Sequence, residues 1–199
     1  MSELEIVKKP EWISYDDIHE LLYKAHETNR NNGFDVNTAH MSGKEIEEHI
    51  GDEGVCLVAL DGEKLAGVAA FRVRNRNYRF AKGKVAEFVL LGVLPEYRGN
   101  GLSRKFQNTL EETVRASGIK YAEGRTAENN KAVLKLMKNA GWRYIDFVAP
   151  ESDHYNVIAL KWLDGSGAPK WRIALHFKIK KMFVKIKYKP GKIKRFGKK

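Results

Sequence analysis

The feature that most constrains the fold is an apolar segment that runs into a glycine turn and then into an amphipathic helix. Residues 85–94 are apolar except for Glu87, as expected of a central strand that is covered on both faces. Gly99 and Gly101 follow in the turn. Beyond them, apolar residues recur every four positions until Gly118, at Leu102, Phe106, Leu110 and Val114. The sequence therefore predicts a buried strand, a tight turn and a helix in succession.

Helical and strand patterns alternate through the rest of the chain. Helices are predicted over residues 14–27, 42–50 and 129–140, the first two with capping-box spacing. The polar stretches 28–40 and 74–84 are predicted to be loops. Further strands are predicted over residues 4–7, 54–60, 64–73, 121–126, 142–149 and 155–162. This order predicts an α/β (α+β) fold, with a mixed, mostly antiparallel central sheet and helices on both of its faces.

The net charge of +11 is concentrated at the C-terminal end of the chain. Residues 170–199 hold 13 of the 36 Lys and Arg residues and no Asp or Glu, which leaves 23 basic and 25 acidic residues before them. Gly165, Ser166 and Gly167 separate the two regions. We therefore predict a nearly neutral domain over residues 1–164 and a basic amphipathic segment over 165–199.

Several classes of protein are excluded by the composition. No apolar run approaches the roughly 18 to 20 residues of a membrane span, so an integral membrane protein is excluded. Cys56 is the only cysteine and cannot form an internal disulfide. The first residues have neither a basic nor an apolar leader pattern, which predicts a cytoplasmic protein. The six histidines have no ligand spacing with cysteine or carboxylates, so no metal site is predicted.

The glycine turn suits a pyrophosphate. Glycines let the backbone wrap closely around phosphate oxygens, and an anion at a helix N-terminus gains roughly 0.3 to 2 kcal/mol from the helix dipole. Two glycines alone favour an ordinary strand-to-helix turn, in which they only provide tightness. The segment matches neither the dinucleotide-binding fingerprint nor the Walker loop, because it lacks the third glycine of the first and the Gly-Lys of the second.

Two motifs give the chain a resemblance to a known family. Residues 93–101, Val-Leu-Pro-Glu-Tyr-Arg-Gly-Asn-Gly, resemble motif A of the GNAT superfamily of acetyl-CoA-dependent N-acetyltransferases, although Ser103 stands where the motif has Gly or Ala. Residues 130–142 resemble motif B, an Asn followed by a helix and then Gly and an aromatic residue. The resemblance covers roughly residues 3 to 163 and implies the GNAT fold, with acetyl-CoA as the co-substrate and no metal.

The resemblance also implies which residues bind acetyl-CoA. Amides of one segment would hold the acetyl carbonyl and the pantetheine: Leu91, Gly92 and Val93. The turn would hold the pyrophosphate: Arg98, Gly99, Asn100, Gly101, Leu102 and Ser103. Asn130 would contact the pantetheine arm. Many members have a tyrosine that protonates the leaving thiolate one residue after the leucine of motif B, where this chain has Met137.

Two residues are candidates for acid–base chemistry. Glu87 is the candidate general base, at the strand position where the histone-modifying branch of the family has a glutamate, but a structural carboxylate paired with an arginine of residues 72–79 is an equal alternative. Tyr144 is a candidate acid for the thiolate, with a packing role as its alternative. The amides near Leu91 would stabilise the oxyanion.

These observations predict an N-acetyltransferase that transfers acetyl from acetyl-CoA directly to a primary amine. An amino sugar or sugar nucleotide is the leading acceptor, and a small amine or a protein lysine is the alternative. A GNAT-like module without catalysis, anchored by its basic tail to RNA or a membrane, is a rival that Met137 leaves open. The resemblance places acceptor selectivity in residues 29–40, although a plain solvent-exposed loop fits this stretch at least as well. The sequence gives no oligomeric state.

The basic segment has three interpretations. Its mixture of lysines with aromatic and aliphatic residues fits an anionic membrane surface, at roughly 1 kcal/mol per nearby basic residue. That partner would place the protein peripherally at the inner face of the membrane. Packing on the body fits equally well, and nucleic acid fits less well. The end of the segment also bears a weak similarity to GNAT proteins associated with bacterial surface-polysaccharide synthesis.

Overall fold

The computed structural model describes residues 4–31, 37–149 and 155–188. Its residues form two compact units. The first unit contains Met1–Asn75 and Gly83–Lys120, and the second contains Arg76–Lys82 and Tyr121–Lys199. The predicted division between residues 164 and 165 stays a prediction, because these units are defined by packing and not by function.

In its described residues, the first unit combines antiparallel strands with four α-helices. Its strands follow the order β1-β2-β3-β4, and both β1 with β2 and β2 with β3 pair antiparallel. The strands are β1 Glu5–Lys8, β2 Val55–Asp61, β3 Lys64–Tyr78 and β4 Ala81–Val93, of which the last two extend into the second unit. The helices are α1 Tyr15–Ala25, α2 Glu27–Asn31, α3 Gly43–Ile50 and α4 Leu102–Ala116.

Helices α1 and α3 begin where the capping pattern predicts. Ser14 Oγ accepts a hydrogen bond from the Asp17 backbone while Asp17 accepts one from the Ser14 backbone at 2.7 Å, and Ser42 and Glu45 form the same reciprocal pair. The apolar faces of both helices pack in one cluster with residues of β2, β3 and β4. Its buried members are Ile13, Ile18, Leu21, Leu22, Ala25, Ile46, Ile50, Cys56, Val58, Val68, Ala70 and Leu90.

The predicted loop over residues 74–84 is wrong. Strand β3 continues to Tyr78 and strand β4 already begins at Ala81, so the turn between them is short. The run looks like a loop because arginine and asparagine dominate it. Side chains on one face of β3 bind buried carboxylates: Arg76 in this run pairs with Glu123, and Arg72, just before the run, pairs with Glu87. The polar sequence that resembles a loop therefore belongs to a strand, in which the basic side chains of one face pair with carboxylates.

The predicted loop over residues 28–40 is wrong in part. Helix α2 covers Glu27–Asn31, and a single 3-10 turn covers Asn37–Ala39. Residues 32–36, where this prediction also falls, lie outside the described residues.

The second unit places β7 between β5 and β6, with both pairs antiparallel. Its strands are β5 Tyr121–Ala127, β6 Arg143–Val148 and β7 Asn156–Trp162, and its helices are α5 Lys131–Asn139 and α6 Lys170–Lys187. The predicted α/β fold with mostly antiparallel pairing is confirmed. The basic segment, for which the pattern fits a helix or a strand, is helical from Lys170 to Lys187.

Candidate acetyl-transfer site

The turn after β4 leaves the first amides of α4 without side-chain partners. Gly99 and Gly101 have φ values of 85° and 72°, a left-handed conformation that suits glycine because it has no Cβ. The Gly101 carbonyl accepts the first helical hydrogen bonds from Arg104 and Lys105 at 3.0 Å, and no side chain in the described residues caps this end. The first N–H groups of a helix have no acceptors within the helix. They are therefore available to an anion.

Arg98 holds this turn in place. Its Nε donates to the Val93 carbonyl at 3.2 Å, and its terminal NH2 nitrogen donates to the Ala25 carbonyl at 2.5 Å. These bonds join the turn to the end of β4 and to the end of α1. The predicted contact of Arg98 with pyrophosphate stays a prediction, and the geometry gives this side chain a positioning role within the protein.

The end of β4 approaches α1 closely. A Cβ added to Gly92 would lie 3.0 Å from the Leu22 side chain and 3.2 Å from the Leu21 side chain, so these leucines would have to shift by a few tenths of an ångström to admit a larger residue. Leu91 is exposed while Val93 is buried. Glycine at this position thus lets the N-terminal helix pack directly against the strand that leads into the turn.

Glu87 lies in the interior of β4 and is paired. It is 5% exposed, and its Oε2 accepts a hydrogen bond from Arg72 Nε at 2.8 Å. An NH1 nitrogen of Arg72 lies 3.1 Å from Nδ1 of His49 on α3. Burial, followed by the positive charge of Arg72, lowers the pKa of His49. Nδ1 of a neutral His49 can accept a hydrogen bond from Arg72. The side chains of His49, Arg72 and Glu87 thereby join α3, β3 and β4.

A cavity of about 250 Å³ adjoins Arg72 and His49. Its wall carries negatively and positively charged side chains, so it would favour a polar ligand. The lining residues with ionisable side chains are Glu48, His49, Asp52, Glu53, Arg72 and Arg74. Arg72, which pairs with Glu87, lines this cavity of the first unit, while Glu87 is not among its lining residues.

In the second unit, the side chains of Asn130 and Tyr144 form hydrogen bonds with the backbone of α5. Asn130 is the N-cap residue, and its Oδ1 accepts from the Val133 backbone at 3.2 Å. The Tyr144 hydroxyl donates to the Leu134 carbonyl at 2.6 Å, and burial raises its pKa. The predicted roles in pantetheine binding and acid catalysis stay predictions, and the geometry shows capping and packing.

The model of the acetyltransferase (GNAT) family matches residues 15–142, which include the helix α1, the glycine turn and the motif at α5. The chain belongs to the GNAT acetyltransferase family. This membership confirms the resemblance found in the sequence and makes the protein an acyltransferase that uses acetyl-CoA. No curated protein matches the sequence.

Solved structures of other GNAT proteins share the fold at low sequence identity. PaiA N-acetyltransferase from Thermoplasma acidophilum, in complex with coenzyme A, is 15% identical with a TM-score of 0.61, over 80% of this chain and 99% of that one. An aminoglycoside 6'-N-acetyltransferase complexed with coenzyme A is 12% identical with a TM-score of 0.59, over 82% and 99%. The ribosomal-protein-S18-alanine N-acetyltransferase of Escherichia coli is 16% identical with a TM-score of 0.60, over 83% and 97%.

The glycine turn of this GNAT protein fits the phosphates of acetyl-CoA. Nothing lies within 4 Å of a Cβ built on Gly99 or Gly101, so the turn leaves open space beside its backbone. A phosphate can approach such a backbone closely, and the uncapped helix end supplies N–H donors. Acetyl-CoA would bring the activated acetyl group, and the predicted binding of its pyrophosphate at this turn stays a prediction.

The sequence pattern does not predict one buried cluster of this GNAT protein, which forms around Glu123. Glu123 on β5 is fully buried, and it accepts from Arg76 Nε at 3.0 Å and from the Tyr78 hydroxyl at 2.9 Å. Burial, followed by the charge of Glu123, raises the pKa of Tyr78. The alternation of Arg72, Arg76 and Tyr78 along one strand was the available signal.

Other candidate centres have little support. Burial raises the pKa of the Cys56 thiol to about 12, which keeps it protonated and unreactive. In the part of the chain that the structure describes, no group of three or more His, Cys, Asp or Glu side chains could hold a metal ion. His154 lies outside that part.

Proposed function

We propose that this GNAT protein transfers the acetyl group directly to the amine of an amino sugar or sugar nucleotide, with Glu87 as the general base. The observation that bears on the acceptor is the ion pair between Glu87 and Arg72, which is also the pairing expected of the alternative, structural role of Glu87. A carboxylate paired with a guanidinium takes up a proton less readily, because protonation weakens the pair. Such a base suits an acceptor amine of low basicity, which needs little help to lose its proton.

The basicity of the acceptor amine decides between the alternatives. An amine with a pKa near 10.4, such as lysine, is neutral at pH 7 only about once in 2,500, which corresponds to roughly 4.6 kcal/mol that the enzyme must offset. The amine of an amino sugar is much less basic, so a far larger fraction of it is neutral at pH 7 and less help is needed. A paired Glu87 is therefore better matched to an amino sugar than to a lysine.

The polar cavity beside Arg72 supports the same acceptor class. Its volume of about 250 Å³ is below the roughly 300–1,000 Å³ of pockets for drug-sized ligands, so it matches a single amino sugar better than a sugar nucleotide. The carboxylates of Glu48, Asp52 and Glu53 can attract a protonated amine and accept hydrogen bonds from hydroxyl groups. The similarity to an aminoglycoside acetyltransferase concerns the fold and is compatible with this acceptor.

The reaction requires three tasks of the chain. The amides at the glycine turn hold the pyrophosphate, and a backbone amide near Leu91 donates to the acetyl oxygen as negative charge develops there. Glu87 accepts the proton that leaves the attacking amine. The nitrogen–carbonyl bond forms as the carbon–sulfur bond breaks, and the thiolate takes a proton from water, so the products are the N-acetyl compound and coenzyme A.

The decisive experiment is an acceptor screen that follows release of free coenzyme A. Amino sugars, amino-sugar nucleotides, polyamines and lysine peptides are compared at the same concentration. We expect amino sugars to give the highest kcat/KM. A preference for lysine peptides or polyamines would overturn the proposed acceptor, and failure of acetyl-CoA to bind in calorimetry would overturn the catalytic proposal as a whole.

The matched variants are Asp52→Asn in the cavity wall and Glu63→Gln in the exposed turn between β2 and β3. If the acceptor occupies the cavity, Asp52→Asn raises the KM for the acceptor by about tenfold, as expected for the loss of one charge-assisted contact, and leaves acetyl-CoA affinity unchanged. Glu63→Gln leaves both unchanged. An unaltered acceptor KM in Asp52→Asn would place the acceptor elsewhere.

A further inference from the structure

Helix α6 has apolar side chains on two opposite faces, and one of these faces is packed within the second unit. Ile173 on this inner face is 2% exposed. Phe177 and Val184 pack against a cluster that contains Phe147 and Tyr155. The inner face of α6 therefore completes a core and is not available to another molecule.

Ion pairs fix the orientation of the helix. Lys180 lies 2.9 Å from a carboxylate oxygen of Asp146 on β6. Lys181 and Lys185 lie 2.5 and 3.0 Å from Oε1 of Glu128. Both lysines lower the pKa of Glu128, against the opposing effect of its burial. Two carboxylates thus offset two of these three positive charges, and the three lysines border the inner face.

The opposite face is apolar and exposed. Five of its side chains recur at spacings of four, four, three and four residues, which places them within about 80° of arc on an α-helix. Their exposed fractions range from 44% to 68%. We call this row the outer stripe: Trp171, Leu175, Ile179, Met182 and Ile186.

The outer stripe is a continuous apolar surface. It extends over most of a helix of 18 residues, about 27 Å long, and the 61% exposed Phe183 widens it at one end. Single exposed apolar residues are common, but a continuous row is typical of a surface that another phase or molecule covers. Core packing does not explain the stripe, because the inner face already supplies the packing.

Basic residues border the stripe on both sides. Lys178 lies on one side, and Arg172 and Lys187 lie on the other, all exposed. Residues 170–199 contain no acidic residue. Long basic side chains beside an apolar face can reach the level of lipid headgroups while the apolar residues enter the lipid.

We propose that the outer stripe of α6 binds an anionic membrane surface, with the helix lying in the plane of the interface. The apolar row supplies burial among the acyl chains, and the bordering cations supply attraction to acidic lipids. The packed inner face keeps the rest of the second unit attached to the helix. Packing on the body and membrane binding, which the sequence leaves as alternatives, then use different faces of one helix.

Two other occupants fit the stripe less well. A second copy of the chain would bring two segments together that carry only positive charge, which opposes close approach. Single-stranded RNA binds on aromatic and arginine platforms. Four of the five stripe residues are aliphatic or thioether side chains, which offer no stacking surface. An acidic lipid surface matches both the chemistry and the charge.

The test is flotation of the full chain with vesicles of phosphatidylcholine mixed with phosphatidylglycerol. We expect the wild-type chain to float with these vesicles, and to float less with phosphatidylcholine alone or in high salt. The double variant Trp171→Ser/Ile186→Ser should reduce the bound fraction about tenfold. Trp12→Ser is the matched control, since Trp12 is 60% exposed outside α6, against 68% for Trp171.

A second double variant, Arg172→Glu/Lys178→Glu, tests the charge without altering the stripe and should also reduce flotation about tenfold. Wild-type protein that does not float, or stripe variants that float like wild type, would overturn the proposal. Two further results would overturn it if the chain does not float. The first is a wild-type dimer that the stripe variant converts to a monomer, and the second is RNA binding that the stripe variant loses. The measurement does not depend on acetyl transfer.

Discussion

Arg72 on β3 donates a hydrogen bond from Nε to Oε2 of Glu87 on β4 at 2.8 Å, and both side chains are largely buried. Without the arginine, the carboxylate would carry an uncompensated charge in the interior of the unit. The same guanidinium reaches His49 on α3. The pair therefore accounts for the stability of a buried acid and positions the candidate base of the reaction.

The first prediction concerns Glu87→Gln. This change keeps the size of the side chain and removes the proton acceptor. We expect kcat to fall by about 10²-fold or more, as is typical for loss of a general base, with acetyl-CoA affinity unchanged. The deficit should shrink as pH rises, because more of the acceptor amine is then neutral. Steady-state kinetics from pH 6 to pH 9 and calorimetry measure the two effects.

Glu63→Gln is the control for this variant, because Glu63 is exposed in the turn between β2 and β3. It should behave like the wild type in both measurements. Unchanged kcat at neutral pH in Glu87→Gln would assign Glu87 to the structural ion pair alone.

The second prediction concerns the glycine turn. Gly101→Ala places a Cβ on a left-handed residue, which costs about 1–2 kcal/mol of stability. It also changes the turn that presents amides to the pyrophosphate, so we expect acetyl-CoA affinity to fall at least about fivefold. Isothermal calorimetry and thermal unfolding measure affinity and stability separately.

Gly62→Ala is the matched control for the turn. Gly62 has a φ of 62°, and a Cβ built on it would meet nothing within 4 Å, as at Gly101. The backbone cost should therefore be similar at the two positions, while only Gly101→Ala should weaken acetyl-CoA binding. Equal affinities in the two variants would contradict the assignment of the turn.

Local signals made this part of the site predictable. The apolar strand, the glycines and the capping pairs at Ser14 and Ser42 all depend on residues within a few positions of each other. The partners of Arg72 and Arg76 are 15 and 47 residues away, so the sequence pattern indicated a loop where the structure has strands. Side-chain pairing with distant carboxylates overrode the local polar pattern.

The basic segment shows a different limit. Its first half has helical periodicity, while alternation of apolar residues and lysines near Val184 and Ile186 resembles a strand. The structure resolves this ambiguity because Val184 packs on the inner face of α6 and Ile186 belongs to the outer stripe. A helix with two apolar faces has a weak amphipathic signal, so its periodicity is hard to identify from sequence.

The third prediction concerns pH. Burial lowers the pKa of His26, His49 and His176 in the folded protein, with nearby arginines as the next cause in each. Between the folded pKa and the usual value of about 6.5, the unfolded chain binds more protons, so stability rises with pH in that window. We expect the urea midpoint to fall as pH drops from 7 to 5, and His49→Gln to reduce this fall. A flat profile would contradict the prediction.

The fourth prediction concerns the cluster at Glu123. Glu123→Gln removes the negative charge that pairs with Arg76, and we expect a loss of about 3–5 kcal/mol in the free energy of unfolding. Glu20→Gln is the control, because its ion pair with Lys24 is exposed and should contribute about 0–1 kcal/mol. Chemical denaturation measures both variants. A small effect at Glu123 would mean that the buried pair contributes little net stability.

The fifth prediction compares the two faces of α6. Ile173→Ala leaves a cavity at a residue that is 2% exposed, so we expect a loss of about 2–4 kcal/mol in the free energy of unfolding. Ile179→Ala removes the same atoms from a position that is 44% exposed and should cost less than about 1 kcal/mol. Denaturation of the full-length variants measures the difference. Equal costs would mean that α6 does not complete the core. We also expect a chain truncated before Pro169 to be insoluble, because the core would lose the inner face of α6. A folded, soluble truncation would contradict this.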